Sequence, residues 1–289
     1  IKFDILGLAS LRMIEGAISH ILKRHKGIPE PTFKDIQKYY NENLHPDVIN
    51  LDEPSVYKNV FHKGKWAGIF QFTEEGAQKF CVRAKPNNII DLAAITSIYR
   101  PGPLSANVDR QYVKAKLNPD EVEYPSQEVK DVTEETVGFL IFQEQIAELA
   151  HRLGKDISLD EGNKLRKLLT KKGTGEVEQQ KNEIKGKFIE GCTEKGIDHS
   201  AATHLWDTFE YFSGYGFNKS HAVSYSIISF QCAWLFNYYP AEWMAAFLDK
   251  EPESKKEKAI NIAKKFGFNI RPLNINKSMI DWTIDEDNK

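Results

Sequence analysis

From residue 143 onward the chain carries one helical pattern after another, and this series restricts the possible folds more than any other feature. Apolar residues recur at the three- and four-residue spacing of amphipathic α-helices. The segments with this pattern are 143–153, 158–170, 176–194, 200–212, 220–238, 240–249 and 254–266. Strand-like patterns are short and few, at 1–6, 66–72 and 139–142. The sequence therefore predicts a mainly α fold with a few short strands.

Length, charge and cysteine content narrow the class of protein. The 289 residues can bury a sizeable core and fit one large or two ordinary domains. A formal net charge of −2 means that a nucleic-acid partner would have to bind through local patches. No stretch reaches the roughly 18 apolar residues of a membrane span, so we expect no membrane partner. Three distant cysteines form neither a disulfide framework nor a zinc pattern, which favours a reducing cytoplasm.

A glycine-broken turn leads into a polar run and then into an apolar helix at residues 214–226. The glycines permit a tight bend, Asn218 or Ser220 can cap the helix, and free amides at a helix start favour an anion. Lys219 and His221 add a permanent positive charge and a titratable group. Taken alone, the run is also explained by a capped helix with two solvated polar side chains.

A basic segment at 164–172 has five basic residues in nine positions and no acid. Leucines at helical spacing give it one apolar face, which Arg166, Lys167 and Lys171 border or point away from. Lys172 ends the segment. Two interpretations stay open: a solvated basic face, or a phosphate-binding ridge in which arginine offers a bidentate fork and lysine a point charge.

Three shorter features also leave their function open. Lys2 and Asp4 are two apart in a strand and share a face, as a surface ion pair or as a metal- or phosphate-facing pair. Arg100 precedes Pro-Gly-Pro, which either stops a helix or presents the arginine in one direction. Residues 143–145, Gln-Glu-Gln, open a helix with a polar composition that is ordinary for a helix start.

Six of these elements follow one another along the chain. They are KFDILGL (2–8), GIFQF (68–72), YRPGP (99–103), FQEQ (142–145), LRK…KK (165–172) and GYGFNKSH (214–221). The ordered set resembles the catalytic α subunit of bacterial DNA polymerase III, a C-family replicative polymerase. YPAEWMAAFL (239–248) resembles the family's segment after its long helix, and the resemblance spans about Lys2 to Pro272.

The resemblance implies domain boundaries. Residues 1–10 would be the C-terminal strand of the palm, 11–268 the helical fingers domain, and 269–289 the start of a link to the clamp-binding region. Asp4 would be the catalytic, metal-binding carboxylate of this strand, the third of three. The other two belong to an upstream D-x-D motif that this chain does not contain. We therefore expect the isolated chain not to polymerise, because one carboxylate cannot hold two Mg²⁺ ions.

The resemblance also implies a substrate and partners. The whole protein would bind primer–template DNA and a dNTP, join them by two-metal nucleotidyl transfer, and meet other replisome subunits, including a sliding clamp, through regions outside this chain. Nucleotide-binding residues would be Lys2, Arg100, Arg166, Lys167, Lys171, Lys172, Lys219 and His221. Tyr215 or Phe217 would pack near the nascent base pair or in the core.

The chain departs from the family pattern beside Arg166. Lys167 stands where the family commonly has a second arginine, which keeps the charge and loses one bidentate grip. The alternative to a polymerase part is a non-catalytic nucleic-acid-binding or subunit-interaction module that retains the polymerase scaffold.

Overall fold

The computed structural model describes residues 7–169, 175–213 and 216–285. Fifteen α-helices form within these ranges. They are α1 (Ala9–His25), α2 (Phe33–Asn43), α3 (Pro54–Val56), α4 (Glu75–Ala84), α5 (Ile89–Ile98), α6 (Pro101–Ser105), α7 (Val108–Leu117), α8 (Gln127–Thr133), α9 (Gln143–Leu153), α10 (Leu159–Leu169), α11 (Gly175–Glu194), α12 (His199–Ser213), α13 (Lys219–Tyr238), α14 (Pro240–Lys250) and α15 (Glu253–Lys265). A π-helical turn, Tyr57–Phe61, continues α3, and 3₁₀ turns occupy Pro119–Glu121 and Glu134–Thr136. The mainly α prediction is confirmed.

The structure differs from the sequence-based predictions mainly in the strands. Residues 66–72 form turns and bends, so the strand prediction there was wrong. Gly68 (φ 67°) and Gln71 (φ 66°) take left-handed backbone angles, which interrupt an extended strand. Residues 139–142 contribute one isolated parallel bridge, Phe142 with Phe217. The strand predicted at 1–6 lies outside the described residues.

Two segments are more helical than the sequence pattern indicated. Helix α6 begins at the Pro-Gly-Pro turn, because prolines in a first helical turn lose no hydrogen bond there. The acidic stretch at 120–136 contains α8. This helix is capped by the Ser126 side chain, which accepts a hydrogen bond from the N–H of Val129 at 3.3 Å.

The described residues divide into two compact units. The first comprises 7–89 and 224–285. In it α1 packs against α14, and the Cβ of Ala246 lies 3.2 Å from where a Cβ on Gly16 would stand. The buried Glu242 carboxylate accepts from Arg24 and lies 2.8 Å from Nε2 of His25. A charged group inside this unit is therefore paired rather than orphaned.

The second unit comprises residues 90–223. Its core joins apolar side chains of α8 to α12, among them Leu149, Leu165, Phe188, Trp206 and Phe209. Helices α9 and α10 approach closely because Gly162 has no side chain, and a Cβ there would stand 2.5 Å from the carbonyl oxygen of Ala147. This tight packing fixes α9 and α10 relative to each other.

Across the described ranges, no helix combines the length and the apolar character that a bilayer crossing requires.

Candidate functional site

Within the second unit, backbone hydrogen bonds join the start of α9 to the segment before α13. The Phe217 N–H donates to the Ile141 carbonyl at 3.1 Å, and the Gln143 N–H donates to the Phe217 carbonyl at 2.9 Å. We call residues 141–145 and 216–221 the helix-start junction. Three consecutive polar side chains, Gln143, Glu144 and Gln145, make its remaining connections.

Gln143 links the junction to α10. Its Nε2 donates to the Gly216 carbonyl at 2.8 Å, and its Oε1 accepts from Nη1 of Arg166 at 3.0 Å. Arg166 is half-buried, one turn before the end of α10. The basic segment of α10 is thereby tied to the glycine-containing turn, although the two are far apart in sequence.

Glu144 occupies the N-terminus of α13. One carboxylate oxygen accepts from Nδ2 of Asn218 at 2.8 Å, and the other accepts from the N–H of Lys219 at 2.9 Å. The side chain of Asn218 in turn accepts from the N–H of His221 at 2.8 Å, so of the two predicted caps, Asn218 and Ser220, Asn218 is the one that caps this helix. A carboxylate at this place is stabilised by the positive end of the helix dipole.

Gln145 is buried and holds the segment before α9. Its Oε1 accepts from the N–H groups of Ile141 (2.9 Å) and Phe142 (3.0 Å). Its Nε2 donates to the carbonyl of Val132 (3.2 Å) and to the hydroxyl of Thr136 (2.8 Å). Because both ends of the amide are satisfied, this buried polar group stabilises one arrangement of the backbone.

Lys219 is paired with a carboxylate that the sequence pattern did not reveal. Its Nζ lies 2.6 and 2.7 Å from the two oxygens of Glu135 and 5.8 Å from the centre of the Phe142 ring. Glu135 belongs to the 3₁₀ turn before the junction. The ammonium of Lys219 is therefore largely neutralised in this structure.

Arg100 and His221 both contact the ring of Phe217. The guanidinium carbon of Arg100 is 4.8 Å from the centre of the Phe217 ring, within the range of cation–π attraction. The His221 ring meets Phe217 edge-on, with centroids 5.4 Å apart. Since Arg100 is exposed and its contact here is an aromatic face, this contact does not cancel its charge.

The structure thus brings four of the predicted nucleotide-binding residues, Arg100, Arg166, Lys219 and His221, to the helix-start junction. Lys167 follows Arg166 on α10 with an exposed side chain. The other predicted site residues lie outside the described residues: Lys2, Asp4, Lys171 and Lys172, together with Tyr215. The carboxylates Glu135 and Glu144 and the amides Gln143 and Gln145 were not assigned as site residues from the sequence.

The magnesium ions were expected at Asp4, which lies outside the described residues. Within those ranges, no three His, Cys, Asp or Glu side chains are grouped so that they could hold a metal ion. The carboxylates at the junction accept hydrogen bonds from Lys219 and Asn218 instead. We therefore assign no metal-dependent step to the described residues.

Comparison with known proteins identifies the family. A model of the bacterial DNA polymerase III alpha subunit finger domain matches residues 16–196, more than half of the chain. The chain belongs to this family. The resemblance that the six ordered motifs indicated is confirmed.

Whole DNA polymerase III alpha subunits match the chain along its length. It is 33% identical to that of Campylobacter jejuni over 292 residues, which is 100% of this chain and 23% of the relative. Identity to the Aquifex aeolicus subunit is 34% over 290 residues, which again is 100% of this chain and 23% of the relative. For Borreliella burgdorferi it is 34% over 99% of this chain and 23% of the relative. The chain thus spans about a quarter of the length of these relatives.

Proposed function

We propose that this chain is the fingers region of a DNA-directed DNA polymerase, and that its helix-start junction binds the triphosphate of the incoming dNTP. Residues 11–268 would form the fingers, 1–10 a palm strand with the metal-binding Asp4, and 269–289 the beginning of a link toward a clamp-binding region. Membership of the finger-domain family supports the assignment. The complete polypeptide would act in the cytoplasm on primer–template DNA, with other replisome subunits.

The single observation that carries the nucleotide-binding role is the kind of partner that each arginine has. Arg166 is held by the neutral amide of Gln143, and Arg100 stands over the ring of Phe217. Neither partner cancels the positive charge, whereas Lys219 is matched by Glu135. Two guanidinium groups beside one polar turn can bind a phosphate, because a phosphate accepts bidentate hydrogen bonds from guanidinium groups.

The proposed work of these residues is to bind and orient the phosphates. Arg166 would contact the β- or γ-phosphate, where negative charge grows during phosphoryl transfer. Lys2, Lys167, Lys171 and Lys172 would add charge around it. Arg100 would support the nucleotide or template side of the pocket, with Phe217 fixing its direction. His221 and Lys219 would line the pocket at the start of α13.

Hydrogen–deuterium exchange on the complete polymerase tests this proposal. A chain-terminated primer–template is bound first, and the next complementary dNTP is then added. We expect the dNTP to add protection in peptides that cover 141–146 and 216–221, beyond that given by the duplex alone. A non-catalytic module would show protection by the duplex and no further change with the dNTP, and that outcome would refute the proposal.

A further inference from the structure

The side-chain amide of Gln143 joins two groups with opposite requirements. A guanidinium can only donate hydrogen bonds and a carbonyl oxygen can only accept them. The oxygen of the amide must therefore face Arg166 and its nitrogen must face Gly216, as the 3.0 Å and 2.8 Å contacts have it. The two hydrogen-bond partners therefore determine which end of the amide is oxygen and which is nitrogen.

The backbone of Gln143 is fixed as well. It is the first residue of α9, and its N–H donates to the carbonyl of Phe217 at 2.9 Å. A Cβ on Gly216 would stand 3.0 Å from Cγ of Gln143, so the absence of a side chain at Gly216 lets these two segments of the backbone approach each other. A residue held at both ends in this way can hold a third group, Arg166, in one direction.

We propose that Gln143 is a positioning residue for nucleotide binding. It orients the guanidinium of Arg166 toward the triphosphate and couples that orientation to the turn at 216–218. This inference rests on the proposed function, and it adds Gln143 to the residues that would serve nucleotide binding. A glutamine suits the task because a neutral amide directs the guanidinium without cancelling its charge.

Two substitutions of Gln143 by side chains of similar length distinguish the orientation of Arg166 from its charge. Gln143→Met removes the acceptor for Arg166 and the donor for Gly216. Gln143→Glu keeps an acceptor but pairs Arg166 with a carboxylate and places two acceptors against each other at the Gly216 carbonyl. If a hydrogen bond to Arg166 alone were sufficient, glutamate, which retains it, would behave more like the wild type than methionine does.

The experiment measures the KM for dNTP, the kcat and the Kd for primer–template DNA in the complete polymerase. We expect Arg166→Ala to raise the KM about 10- to 100-fold, the scale of a hydrogen bond to a charged group. Gln143→Met should raise it at least about fivefold, and Gln143→Glu by as much or more. The Kd for DNA should stay within about twofold, because the duplex does not depend on this contact.

A matched control is Gln127, which is also the first residue of its helix, α8. Its Nε2 donates to Asp131 on the same helix at 2.6 Å. Gln127→Met and Gln127→Glu should leave the KM for dNTP unchanged. Thermal unfolding of every variant establishes that it is folded, and Gln143→Glu supplies the test if the methionine variant does not fold.

The double variant Gln143→Met with Arg166→Ala decides whether Gln143 acts through Arg166. If it does, the second substitution adds at most about twofold to the KM of Arg166→Ala. Additive effects, or a Gln143→Met variant with the KM of the wild type, would overturn the positioning role while leaving the proposed function intact. A normal KM in Arg166→Ala would instead overturn the proposed function itself.

Discussion

Arg166 on α10 donates a hydrogen bond to the side-chain oxygen of Gln143 at the start of α9, across 3.0 Å and 23 positions of sequence. The same amide contacts the Gly216 carbonyl before α13. One neutral side chain therefore connects α9, α10 and the turn before α13. We regard this contact as the organising feature of the candidate triphosphate site, because it fixes an arginine in place and preserves its charge.

The carboxylate of Glu135 neutralises the ammonium of Lys219, so removal of this carboxylate should strengthen nucleotide binding. Glu135→Gln releases the Lys219 ammonium from a pair whose side chains are 31% and 33% exposed. We expect the KM for dNTP to fall roughly fivefold, equivalent to about 1 kcal/mol, the upper range for exposed ion pairs. Steady-state kinetics of the complete polymerase measures this effect.

The control for this prediction is the neighbouring Glu134→Gln. Glu134 reaches only Lys130 among the ion pairs described for it, at 3.7 Å on an exposed surface. Its substitution should leave the KM for dNTP unaltered. An unchanged or higher KM in Glu135→Gln would mean that Lys219 does not bind the nucleotide.

Two glycines of α11 make opposite predictions for stability. A Cβ on Gly191 would stand 2.3 Å from the carbonyl oxygen of Leu153 and from the N–H nitrogen of Lys155. Because both are backbone atoms, Gly191→Ala should lower the free energy of unfolding by about 2–3 kcal/mol. A Cβ on Gly186 meets nothing within 4 Å, and Gly186→Ala should raise it by about 0.5–1 kcal/mol.

Urea denaturation of the two glycine variants and the wild type gives these differences. Equal stability of the two variants would show that the close approach of α11 to residues 153–155 does not exist in solution.

Burial makes the cysteines unreactive. It raises the pKa of the Cys192 thiol to about 11 and that of Cys232 to about 12, from an ordinary value of 9. The thiolate is the nucleophile, so we expect native protein at pH 8 to resist alkylation by iodoacetamide and urea-unfolded protein to react. Mass spectrometry of the labelled chain distinguishes the two.

The raised thiol pKa values also predict a direction of pH dependence. Above pH 9 the unfolded chain loses thiol protons that the folded chain retains, so the free energy of unfolding should fall as the pH rises toward 11. Cys192→Ala should make this decline shallower. A decline of the same slope in the variant would show that Cys192 is not the group responsible.

The helices could be predicted from the sequence because their signal is local. From residue 143 onward, apolar spacing located each helix to within about two residues. A polar run before an apolar one predicted a cap at Asn218 or Ser220, and Asn218 provides it. The segment 66–72 misled because its alternating aromatic residues resemble a strand. The left-handed angles at Gly68 and Gln71 leave no such trace in the pattern.

The site was only half predictable, for a related reason. Charge and motif order indicated Arg100, Arg166, Lys219 and His221. The partners that decide what these cations can do are distant in sequence: Glu135 is 84 positions from Lys219. Such pairings are set by helix packing, which Gly162 and Gly191 permit through close backbone contacts. No local spacing rule encodes them.

A comparison of nucleotide and DNA binding in Arg166→Ala tests most directly whether Arg166 binds the triphosphate. The control is Arg152→Ala, since Arg152 lies on α9 nine residues beyond Gln143, about 14 Å along the helix, and pairs with Glu148 at 2.6 Å. We measure the Kd for dNTP of the polymerase–DNA complex, and the Kd for primer–template at two salt concentrations. We expect the dNTP Kd to rise about tenfold or more for Arg166→Ala alone, with unaltered DNA binding and salt slope. An equal loss of both affinities, with a shallower salt dependence of DNA binding, would contradict it and assign Arg166 to the DNA backbone.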